Sequence, residues 1–75
     1  MRHMADFTEA DVHLEKQNGG WHVVWRKPGY PPRVMMSNLA FSEAQRAEYR
    51  GELTLAAKLR KAAAEARDKN DLEPN

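Results

Sequence analysis

The stretch NGGWHVVWRKPGYPPRV, from Asn18 to Val34, decides the fold. Asn18-Gly19 is a strong hairpin signal, because both residues tolerate positive φ. The segment after it alternates. Trp21, Val23 and Trp25 share one face of a strand, and His22, Val24 and Arg26 share the other. The first set is larger and more apolar, so it is expected to face inward. Pro28-Gly29 then marks a second turn, and Pro31 and Pro32 cannot donate ladder hydrogen bonds.

Upstream, DVHLEK alternates in the same way, with Val12 and Leu14 on one face and His13 and Glu15 on the other. Downstream, RVMMSN reads as a third strand, with Val34 and Met36 inward and Arg33 and Met35 outward. FSEAQ then opens a helix, with Ser42 as N-cap and Gln45 completing a capping box. From there to about Lys69 nearly every residue is a helix former, Gly51 excepted. Asn70 and Pro74 close the helix.

The expected fold is therefore α+β, a three-stranded antiparallel sheet packed on one long C-terminal helix, with a break or kink possible at Gly51. Residues 1–10 read as a flexible arm, residues 11–69 as a single domain and residues 70–75 as a disordered tail. Met4 offers an alternative start, and residues 1–3 are left out of the fold reading. The sheet is expected to cover the first half of the helix, through Ala44, Ala47, Leu53 and one face of Tyr49. The later stripe, Leu55, Leu59, Ala62, Ala63 and Ala66, either folds back after Gly51 or meets another molecule. Leu55, Leu59, Ala62 and Ala66 are thus candidates for a weak homodimer.

Composition narrows the function. The 75 residues contain no cysteine, which removes disulfides and thiolate metal sites. No apolar run approaches the roughly 20 residues of a membrane span, and no signal peptide is visible, so a cytoplasmic protein without membrane association is expected. The net charge of +1 is spread as a mildly basic middle between acidic ends. The histidines are His3, His13 and His22. His13 and His22 suit neighbouring strands, but a metal site there would have only Glu15 as a third ligand. Ser37 and Ser42 read as turn and cap residues. No enzyme, metal or cofactor is expected. The segment around Ala47 and Gly51 has the spacing of a helix-turn-helix, but Arg46, Arg50 and Glu52 occupy positions that motif keeps apolar.

The remaining candidate site is the outer sheet face with its strand ends: His13, Glu15, Lys16, His22, Val24, Arg26, Lys27, Arg33 and Met35. Arginine on guanine, glutamate on cytosine and apolar contact with thymine are established base readouts.

The layout of DVHLEK, QNGG, WHVVWRK, a Pro/Gly turn, RVMMSN and FSEAQRAEY resembles the arm-site DNA-binding domain of phage-type tyrosine integrases. It also resembles the plant ethylene-response-factor DNA-binding domain. Short bacterial modules with a GGW hairpin and a following EA helix look similar as well. The resemblance covers roughly residues 11–53 and is one of pattern. For the two DNA-binding families it implies a sheet face that enters the major groove of double-stranded DNA, with Arg26 and Arg33 at base- or phosphate-contacting positions. No core-binding or recombinase catalytic domain is expected with it, so integrase activity is not implied. Two functions remain open. One is a small DNA-binding accessory protein of phage or mobile-element type. The other is a protein-binding inhibitor or interaction module, such as a phage anti-defence protein, acting on a host protein complex. Small size, near-neutral charge and an expected exposure of Val24, Met35 and Tyr30 suit the second.

Overall fold

The computed structural model describes residues 11–73. The expected N-terminal arm and the last two residues of the expected tail lie outside them. The chain runs β1 (Asp11–Gln17), β2 (Gly20–Arg26), β3 (Arg33–Met35), α1 (Ser37–Tyr49) and α2 (Leu53–Leu72). The strands form an antiparallel sheet in the order β1-β2-β3.

Asn18 and Gly19 form the hairpin loop, which pairs Val12 with Trp25 and Leu14 with Val23. The second connection contains a turn in which Tyr30 N–H donates to the Lys27 carbonyl at 3.2 Å, with Gly29 at φ 82°. Proline followed by a positive-φ glycine is the signature of a type II turn. It delivers Arg33 opposite Trp25 and Met35 opposite Val23.

That register corrects the expected faces of β3. Met35 is 3% exposed and belongs to the core, whereas Met36 is 49% exposed and Val34 is also exposed. A one-residue slip exchanges every side chain between faces, and in a three-residue strand only the pairing with β2 fixes it. Val24 is corrected too. It faces away from the helices, between His13 and Val34 in the ladder, yet is 2% exposed.

The helical part divides at Gly51 (φ 83°). Glu52 N–H donates to the Ala47 carbonyl at 2.9 Å and Gly51 N–H to the Glu48 carbonyl at 3.0 Å. This is the bond pair of a Schellman motif with glycine at the left-handed position. Arg50 clamps the turn through two hydrogen bonds to buried Glu52, at 2.8 and 3.0 Å. Gly51→Ala is expected to lower stability by about 1 kcal/mol, the cost of a left-handed L-residue. A Cβ at Gly51 meets nothing within 4 Å, so the cost is purely conformational. The shift of the urea midpoint measures it.

After the turn α2 runs back along α1 and across β1 and β2. The later stripe is therefore consumed inside the chain: Leu55, Leu59, Ala62, Ala63 and Ala66 are all buried. It offers no surface for the expected homodimer. Seven of the twelve members of the core cluster are alanines, and small side chains let α2 lie close to both α1 and the sheet. Tyr49 and Leu53, expected against the sheet, stand exposed at the helix–helix corner. Helix α1 begins at Ser37 with Met36 as N-cap, so Ser42 is inside the helix. The reason is Ala40, fully buried in register with Ala44 and Ala47, which extends the apolar period one turn upstream. At the other end α2 continues through Asn70 to Leu72, where a disordered tail was expected.

Candidate functional site

The nine candidate residues separate into three groups. His13, Glu15, His22, Val24 and Arg26 share the outer sheet face. His13 stands opposite Val24, Glu15 opposite His22, and Asp11 opposite Arg26. The His13 ring lies between two carboxylates, 2.9 Å from Glu15 Oε2 and 3.2 Å from Asp11 Oδ2. The hydrogen bond from His13, then that from Gln17, holds the Glu15 carboxyl below its ordinary value. His22 Nδ1 lies 2.9 Å from the Gly20 carbonyl oxygen. By alternation this face carries Asp11 and Glu15 against Arg26, so its carboxylates outnumber its permanent cations.

Lys16 stands opposite Trp21, on the helix side, with Nζ 3.5 Å from Glu73. Trp21 Nε1–H donates to the same carboxylate at 3.3 Å. Trp21, then Lys16 and Lys69, hold the Glu73 carboxyl below its ordinary 4.5. A depressed folded-state pKa contributes stability that is present above the unfolded value and lost as pH falls through the folded one. The urea midpoint of Glu73→Gln, which keeps an acceptor for the indole, is expected below that of the parent at neutral pH. The two are expected to converge on acidification, as the pH falls through the lowered folded-state value.

Lys27, Arg33 and the core residue Met35 belong to the region of β3. Lys27 Nζ sits 4.9 Å from the ring centroid of Trp25 and 4.6 Å from that of Tyr30, and the Arg33 guanidinium 5.6 Å from Trp25. Arg33 also reaches Glu43 at 3.4 Å, and Arg46 meets the same buried carboxylate at 3.1 Å. Trp25, Lys27, Tyr30, Pro31, Pro32 and Arg33 line a hollow of about 240 Å³.

The strongest surface feature was not foreseen from the sequence. Of the seven exposed large apolar residues among those described, four fall between Tyr30 and Leu39: Tyr30, Val34, Met36 and Leu39. Val34 lies on β3, Met36 caps α1 and Leu39 stands in its first turn, so the three sit in and just after the edge strand. The signal available was the run VMM, whose face depends on a register that alternation alone does not fix.

Among the described residues no group of three or more histidine, aspartate or glutamate side chains is placed to hold a metal ion. Nor is any of their helices long and apolar enough to cross a membrane. Comparison with protein-family models, curated proteins and solved structures gave no match.

Proposed function

We propose that the chain is a small non-enzymatic protein-binding module that docks through the β3 edge, of the kind that acts by occupying a surface of a larger protein complex. The observation that carries this reading is the set of exposed apolar residues in and flanking the edge strand: Tyr30 before β3, Val34 on it, and Met36 and Leu39 at the start of α1. Protein interfaces concentrate aromatic residues and methionine at a core depleted of charge. An edge strand also presents unpaired backbone groups to a partner.

The DNA-binding reading, with the major-groove docking implied by the resemblance, depends on the outer sheet face. Duplex affinity comes mainly from neutralising phosphates. Arg33 lies on the helix side beside Glu43, Met35 is buried, and Arg26 faces Asp11. The distribution of charge favours the protein-binding reading over this one.

The test is capture from nuclease-treated extract at high salt, comparing the parent chain with a Val34→Ser, Leu39→Ser double variant. Both positions are exposed, so the circular dichroism of the variant should match the parent. A captured protein that disappears with the double variant is the expected result. Salt-sensitive binding to random duplex DNA that Arg26→Ala abolishes, with no such protein captured, would overturn the reading.

A further inference from the structure

We infer that the hollow beside Trp25 receives an acidic side chain with an apolar neighbour, presented by an extended segment of the protein partner. The inference rests on the protein-binding reading of the β3 edge and adds the chemistry of the occupant. At about 240 Å³ the hollow is smaller than the roughly 300–1,000 Å³ typical of small-molecule pockets and suits one or two side chains. Its lining combines aromatic and proline surface with two cations, Lys27 and Arg33, the second of which it shares with Glu43. Those cations attract an acidic group, and the Trp25, Tyr30 and proline surfaces accept the apolar neighbour. Tyr30 lines the hollow and belongs to the exposed apolar set, and Arg33 opens β3, so a segment lying along the β3 edge would reach it.

A second observation falls at the same place. Trp25 is 4% exposed, and its indole N–H is a buried side-chain donor without a hydrogen-bond partner. Buried donors are nearly always paired, and an unpaired one calls for a reason. The ring that carries it lines the hollow, so its N–H resonance reports on an occupant there. A nucleobase suits the hollow less well. Lys27 already lies over both Trp25 and Tyr30, and Arg33 over Trp25. Stacking a base on those faces would displace the cations, whereas a carboxylate uses them where they stand.

The experiment follows the two indole N–H resonances of the ¹⁵N-labelled chain, assigned through Trp25→Phe. Three probes are added in turn: a terminally blocked peptide of alternating glutamate and phenylalanine, its glutamine counterpart, and a short oligothymidylate. The Trp25 resonance is expected to move with the glutamate peptide while that of Trp21, bonded to Glu73, stays. The glutamine peptide should bind about tenfold more weakly, the usual effect of losing charge-assisted contacts. Lys27→Gln should cause a similar loss, and so should Tyr30→Ala at a position 63% exposed, where folding is not at stake. Equal binding of the two peptides, or no shift with either, would overturn the acidic occupant. The β3-edge reading would then still stand or fall by the double-variant capture. Oligothymidylate binding more tightly than the glutamate peptide at Trp25 would overturn both.

Discussion

Leu59→Ala is expected to lower the unfolding free energy by about 3 kcal/mol, within the usual range for truncating a fully buried leucine. Leu59 is completely inaccessible, and among the described residues it and Leu55 are the only large aliphatic side chains that α1 and α2 bury. The surrounding helix positions are mostly alanines, including Ala56, Ala62, Ala63 and Ala66 on α2 and Ala40, Ala44 and Ala47 on α1. Alanine has no rotamers with which to fill a cavity. Closing the gap would require α2 to move bodily against the sheet. The total stability of a 75-residue chain is on the order of 4–11 kcal/mol, so one substitution removes a large share of it. Thermal melting should shift down by roughly 12–24 °C, scaling from about 4–8 °C per kcal/mol for a domain of this size. Leu53→Ala, at an exposed leucine six residues earlier, is expected to change little and serves as the control. A Leu59 variant that melts with the Leu53 variant would mean that the α1–α2–sheet core is not the source of stability.

The β1–β2 hairpin was legible because two independent signals agree on it, a period-2 alternation and an Asn-Gly turn. Trp21, Val23 and Trp25 accordingly lie on the helix side. β3 was legible as a strand but not as a face. Val34, Met35 and Met36 are all apolar, so alternation cannot choose between them, and the pairing of Met35 with Val23 decides it. The same slip carried Arg33 from the expected outer face to the helix side, beside Trp25 and Glu43. Gly51 was legible as a possible break, but whether the helix reverses there depends on tertiary burial. The alanine stripe of residues 56–66 looks weakly apolar on paper. Only against a second helix does small size become the property that matters. The candidate surface at Tyr30–Leu39 was hidden for the same reason as the β3 face, since Val34 and Met36 were assigned to the core.

Asn70→Ala is expected to cost about 2 kcal/mol, the scale of leaving a partly buried backbone donor unpaired. Asn70 looks from the sequence like a helix cap, but α2 continues past it, and its amide turns to the sheet instead. Asn70 Oδ1 accepts from Trp21 N–H at 2.7 Å, and Nδ2–H donates to the Trp21 carbonyl at 3.1 Å. β3 pairs only with Val23, Val24 and Trp25, so it does not extend to Trp21. The side-chain amide therefore takes the place of the missing strand neighbour, joining residues 49 apart in the chain. Lys69 adds a contact over the Trp21 ring at 4.7 Å, and Glu73 accepts from its indole N–H. The end of α2 and its cap are thus held to the start of β2 by three side chains, Lys69, Asn70 and Glu73, of which Asn70 alone serves the backbone. Asn70→Asp separates the two halves of the pair. It keeps an acceptor for the N–H but sets a carboxylate against the carbonyl, so it should destabilise as well. Hydrogen exchange reads the effect locally. The Trp21 amide should exchange much faster in Asn70→Ala, while the amides of β2 between Val23 and Trp25 follow only the global loss. Unchanged protection at Trp21 would show that water replaces the side chain without cost and that the clamp contributes nothing.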